Sequence, residues 1–147
     1  MPATEQTDRF PVLISNKRRD DMNPRLIRTR VHGVIDYFTS ATLLGAPELL
    51  RLRDVPSAAL TLRLSGAKAA AYSLLTDYEL GLVRVLPMPV HLALDAASGA
   101  FLASSPWLFG FAKNGTRYWL PHTLVGVGEI LAAVTSKTTP DDEVGSR

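Results

Sequence analysis

Hydrophobic residues dominate four stretches of the chain, roughly 31–52, 58–76, 89–111 and 118–136. Each approaches the ~20 residues that cross a hydrocarbon core about 30 Å thick at 1.5 Å per residue, so the pattern predicts four helices. Between them lie "RLRDVPS", "DYELGLVRVLPMP" and "AKNGTRY", where Pro, Gly, Asn and charge together stop a helix. A water-soluble four-helix bundle would carry a charged stripe along every helix. Stretches such as "ATLLGAPELL" and "ASGAFLASSPWLFGF" offer almost no charge from which to build one. The expected fold class is therefore all-α, a four-helix transmembrane bundle. A soluble four-helix interaction module is the alternative, favoured most by the second stretch, the least apolar of the four.

Aligned with itself, the chain shows a duplication. "VHGVIDYFTSATLLGAPELL" and "VHLALDAASGAFLASSPWLF" match without a gap at an offset of 59, pairing His32 with His91, Asp36 with Asp95, Thr39 with Ser98 and Pro47 with Pro106. A weaker match at an offset of 60 pairs Leu60 with Leu120, Leu64 with Leu124 and Gly66 with Gly126. Each repeat thus holds two helices, and an even number of crossings returns the chain to its starting side. The two hairpins are expected to be parallel, related by a pseudo-twofold axis along the membrane normal, with Asp36 and Asp95 at the same depth.

The first helix of the second repeat begins with "VHLALD" and ends with Ser105, Pro106 and Trp107. In this it resembles the SPW repeat family of bacterial and archaeal membrane proteins, whose repeats each supply two transmembrane helices. The resemblance covers residues 31 to about 136, although Ala46, Pro47 and Glu48 stand in place of the triplet in the first repeat. It implies topology and no activity. On physical grounds Ser105 is placed to cap, Pro106 to kink or restart a helix, and Trp107 to sit at the outer interface.

Charge divides the chain. Residues 1–30 contain Arg9, Lys17, Arg18, Arg19, Arg25, Arg28 and Arg30, a basic head suited to the cytoplasmic face near anionic lipid. No nucleic-acid motif or interleaved aromatics accompany it. The expected organisation is a basic cytoplasmic tail (1–30), a first two-helix repeat (31–77), a cytoplasmic linker (78–88), a second two-helix repeat (89–137) and a disordered tail (138–147). The protein is expected in the bacterial inner membrane with both termini on the cytoplasmic side. The absence of cysteine removes disulfides, thiolate metal sites and cysteine nucleophiles.

The candidate chemistry is a buried polar cluster of His32, Asp36, Lys68, His91, Asp95 and Glu129. Residues four apart share a helical face, so His91, Asp95, Gly99 and Ala103 form one stripe and His32, Asp36 and Ser40 its counterpart. Small residues there admit a neighbouring backbone, as Gly66 with Ala70 and Gly128 with Ala132 are expected to do. A charge near the bilayer centre costs about 2.5–3.5 kcal/mol, so Lys68 is expected to pair with Glu129 or an aspartate. Within each helix the histidine is expected to bond its own aspartate. Alternatives are a proton or ion relay through Asp36, Asp95 and Glu129, and a b-type haem between His32 and His91. His122 reads as an interfacial residue.

Phosphate-binding loops, nucleophile elbows, "HExxH" and paired-cysteine signatures are all missing, and no catalytic residue, metal or obligatory cofactor is assigned. The expected role is a non-enzymatic structural or accessory membrane subunit. Its partners would be the lipid bilayer and either other membrane subunits or further copies of itself, with no nucleic acid.

Overall fold

The computed structural model describes residues 25–140. Most of the basic tail and the last seven residues, over which a disordered end is expected, therefore lie outside the described residues. Four long helices follow one another: α1 (Thr29–Leu49), α2 (Pro56–Leu75), α3 (Met88–Leu108) and α4 (Thr116–Thr135), with one 3₁₀ turn, Phe111–Asn114, before α4. At 20 or 21 residues each is about 30 Å long. Pro56 opens α2, where its missing amide hydrogen would have no helical partner anyway. Gly110 and Gly115 take positive φ in the turn between α3 and α4, a conformation that costs a residue without Cβ little.

α1 packs on α2 and α3 on α4, and the two hairpins then meet side by side. The duplication is visible in the backbone. Ile27 pairs with Ser136, and Leu86 pairs with Thr76; these are equivalent positions of the two repeats. The segment before each repeat is thereby tied to the end of the other repeat or of the hairpin preceding it. Residues 25–28 belong to this end of the bundle, because the Ile27 amide donates to the Thr135 carbonyl at the end of α4 and the Ile27 carbonyl accepts from the Lys137 amide. The linker is also more than a connector, since Tyr78 is wholly buried with its ring 5.8 Å from that of His91.

Within the second hairpin the closest approach is glycine on glycine. A Cβ at Gly126 would lie 2.4 Å from the carbonyl oxygen of Gly99, and one at Gly99 equally close to that of Gly126. The small stripe of α3 thus admits α4 at Gly126. Gly128 is exposed with no atom in reach of an added Cβ, so the close approach to a neighbouring helix expected at Gly128 and Ala132 is made half a turn earlier, at Gly126.

Ser105 and Pro106 do not restart a helix; α3 runs through them to Leu108. Proline at 106 deprives the Leu102 carbonyl of its normal i+4 donor, and the Ser105 hydroxyl donates to that same carbonyl at 2.7 Å. The serine replaces the hydrogen bond that its neighbour removes. Trp107 is exposed, its ring 6.0 Å from that of Trp119.

At the end away from the termini, Asp54 accepts hydrogen bonds from Tyr118 and Arg117, joining the hairpins there. The Tyr118 hydroxyl, with Arg117, holds the Asp54 carboxyl below its usual range. His122, expected at an interface, is instead fully buried, donating from Nε2 to the Ala58 carbonyl at 3.0 Å and packing on Phe111. It is a third tie between the hairpins.

Gly126→Ala should destabilise the fold by about 1–3 kcal/mol through overpacking against backbone. Gly45→Ala, where nothing lies within 4 Å, should instead gain about 0.5–1 kcal/mol. Chemical unfolding of the purified variants, followed by circular dichroism, reads both. Ser105→Ala should cost about 1 kcal/mol in the same assay.

Candidate functional site

One helical turn separates His32 from Asp36 on α1 and His91 from Asp95 on α3. All four side chains are buried because the inner faces of α1 and α3 meet at the pseudo-twofold axis. Their reactive atoms converge. His32 Nε2 lies 2.9 Å from Asp95 Oδ2 and 3.3 Å from Asp36 Oδ1; His91 Nε2 lies 3.1 Å from Asp36 Oδ2 and 3.1 Å from Asp95 Oδ2. The two Nε2 atoms are themselves 3.2 Å apart. Each imidazole therefore engages the aspartate of the other hairpin at least as closely as its own. The expected pairs within each helix are half of a reciprocal quartet.

The surrounding shell is specific. His91 Nδ1 is 2.7 Å from the Thr76 hydroxyl, and His32 Nδ1 is 2.7 Å from the Ser136 hydroxyl. Thr76 and Ser136 are again equivalent positions, each just past the second helix of its repeat. Tyr72 donates to Asp95 Oδ1 at 2.5 Å and Ser73 to Asp36 Oδ2 at 3.3 Å. None of these hydroxyl groups stood out in the linear chain, because Ser, Thr and Tyr are common. The 60-residue offset between Thr76 and Ser136, a hydroxyl closing each repeat, was the available signal.

The remaining candidates lie to one side. Lys68 is exposed rather than buried, its amine folded back to donate to the Ser98 hydroxyl. The inward positions of α2 are Ser65, Gly66, Ala69, Tyr72 and Ser73, which leaves residue 68 on the flank. Glu129 is half-buried with Lys68 in electrostatic reach, and its Oε2 has no hydrogen-bond partner. It lines a cavity of about 430 Å³ between α1 and α4, walled also by Phe38, Thr39, Gly128 and Ala132 and reaching His32, Asp36, Asp95 and Tyr72.

That cavity exists because the repeats differ. At the 60-residue offset Gly128 and Ala132 of α4 correspond to Lys68 and Tyr72 of α2. Beside the quartet Tyr72 occupies the space between α2 and α3, with a smaller cavity of about 250 Å³ beyond it from Lys68 toward Phe109, and the small counterparts leave the space open between α4 and α1.

A haem fits these residues poorly. A macrocycle ligated by both histidines would have to pass between two nitrogens already 3.2 Å apart.

Fold and site together define a pseudo-symmetric four-helix bundle of two hairpin repeats, clasped at its centre by paired His and Asp. The SPW repeat domain model matches residues 30–136, and the chain belongs to that family. Comparison with curated proteins and with solved structures gives no match.

Asp36→Asn or Asp95→Asn should each cost about 3–5 kcal/mol, as expected when one partner leaves a buried ionic cluster. The double variant should cost less than the sum, since both act on the same two imidazoles. Tyr72→Phe, which strips Asp95 Oδ1 of its donor, should cost about 1–3 kcal/mol. Denaturant unfolding of the four variants measures the set.

Proposed function

We propose that this protein is an integral membrane protein of the bacterial inner membrane, a structural or accessory subunit whose central quartet sets how its two hairpins pack. The observation that carries this reading is an inverted distribution of polarity. Thr61, Ser65, Ser73, Thr76, Ser98, Ser105 and Ser136 are buried with the quartet, whereas Phe38, Leu64, Phe101, Leu124, Leu131 and Val134 are 47–74% exposed. A soluble bundle hides such side chains; a contiguous apolar exterior calls for an apolar solvent.

By average hydropathy, no helix among the described residues is long and apolar enough to cross a membrane. The average counts inward and outward faces alike; in α1 and α3 it is lowered by the inward His32, Asp36, His91 and Asp95, whereas in α2 the exposed Arg63 and Lys68 lower it. Helix length matches the hydrocarbon thickness, and membership of the SPW repeat family supports the same environment. In this reading the end bearing residues 25–28 and the 76–87 linker faces the cytoplasm. Described basic residues are balanced between the ends, with Arg25, Arg28, Arg30, Arg84 and Lys137 at one and Arg51, Arg53, Lys113 and Arg117 at the other. The orientation therefore leans on Arg9, Lys17, Arg18 and Arg19.

The cavity between α1 and α4 favours a second reading, a proton or ion carrier using Glu129, Asp36 and Asp95, because intramembrane carboxylates facing a cavity commonly mark ion paths.

The protein should sediment with membranes, resist alkaline carbonate and enter solution only with detergent; recovery in the supernatant of a detergent-free lysate would establish a soluble interaction module instead. In proteoliposomes a carrier gives pH-dependent flux that Glu129→Gln abolishes, whereas a purely structural subunit gives none.

A further inference from the structure

We propose that His32, Asp36, His91 and Asp95 bind one divalent first-row transition ion, of the zinc type, through the two Nε2 atoms and the two carboxylates. The proposal deepens the reading of the quartet as the clasp between hairpins and does not depend on lipid.

Behind each imidazole stands a hydroxyl group that is already committed as a donor. Thr76 Oγ1 lies 2.7 Å from the Tyr72 carbonyl oxygen, and Ser136 Oγ lies 2.6 Å from that of Ala132. A carbonyl cannot donate, so each hydroxyl spends its one proton there. Toward the histidine each hydroxyl can then only accept, which fixes the proton on Nδ1 of both His91 and His32. In the neutral imidazoles the Nε2 lone pairs consequently point inward. Two such lone pairs and two carboxylates meet at one point, an arrangement of four acceptors that requires positive charge among them.

Extra protons on both Nε2 atoms could each be donated to an aspartate, but they would bring two imidazolium charges together across 3.2 Å. A divalent cation satisfies all four groups at once, and its charge cancels that of the two aspartates in a site where net charge is costly. The dimensions agree. Ligand atoms about 2.0–2.1 Å from zinc in a tetrahedron lie about 3.3–3.4 Å apart, and the nitrogen–nitrogen and nitrogen–oxygen separations here are 2.9–3.3 Å.

All four residues can present ligand atoms within 4.8 Å of one another. The outer shell is of the kind that orients metal ligands, with Nδ1–H on a hydroxyl and each carboxylate held by Tyr72 or Ser73. The cavity past Glu129 supplies a route of entry.

The test uses the full chain without a polyhistidine tag, purified in mild detergent, stripped with EDTA and titrated with Co²⁺. Saturation at one ion per chain is expected, with the intense visible bands of four-coordinate cobalt, abolished by Zn²⁺. Asp36→Asn should weaken binding by at least ~100-fold, and Thr76→Val, which removes only the hydroxyl behind His91, by about 10–100-fold. Zn²⁺ should also raise the melting temperature of the wild type.

A helical, monodisperse wild type without a saturable band overturns the proposal, as does Asp36→Asn binding like the wild type. If Asp36→Asn fails to fold, Thr76→Val and the wild-type melting shift decide. A water-soluble protein that binds cobalt would remove the lipid reading and keep the metal site; a membrane protein that does not bind would do the reverse.

Discussion

The contact on which the structure depends is the crossing of two imidazoles with two carboxylates between hairpins. Buried alone, any one of the four would be expensive in a poorly polarisable interior. Together they form a closed set in which each histidine reaches both aspartates. That closure has geometric consequences. It requires α1 and α3 to start at the same end and level, and it places the ends of α2 and α4 where Thr76 and Ser136 meet the far sides of the rings. The backbone bridges of Ile27 with Ser136 and Leu86 with Thr76 follow from the same register.

A perfect duplication would have given two equal faces. The chain departs from symmetry where it matters for access, with Lys68 and Tyr72 in the first repeat and Gly128 and Ala132 in the second. Tyr72 reaches Asp95 and closes one side of the quartet. On the other side the missing bulk becomes a cavity with Glu129 in its wall. The quartet therefore has Tyr72 on one flank and a cavity on the other, between α1 and α4.

Polarity is distributed to suit such a centre. Serine and threonine hydroxyl groups satisfy helix carbonyls of their own turns, as Thr61 does on Ser57 and Ser105 on Leu102, and so remain buried at little cost. Large apolar side chains divide between a core of Leu43, Leu62, Leu102 and Phe111 and an exterior that carries Phe38, Leu64 and Leu124. Glycine on glycine at 99 and 126 brings two backbones close enough for dispersion to act where apolar side chains are spent on the exterior.

Much of this was legible in the linear chain. The four helices fall within about three residues of the apolar stretches, because turn residues and charge punctuate them sharply. The offset that pairs His32 with His91 and Asp36 with Asp95 already pointed to parallel hairpins and level carboxylates, since two helices per unit return each repeat to the end where it began. What the chain alone could not decide was rotation about each helix axis, which depends on packing partners far away in sequence. That rotation put Lys68 outside, drew His122 inside onto Ala58, moved the close contact from Gly128 to Gly126, and let each histidine reach the opposite aspartate as well as its own. Local spacing determines which residues share a face, and only the assembled bundle determines what that face meets.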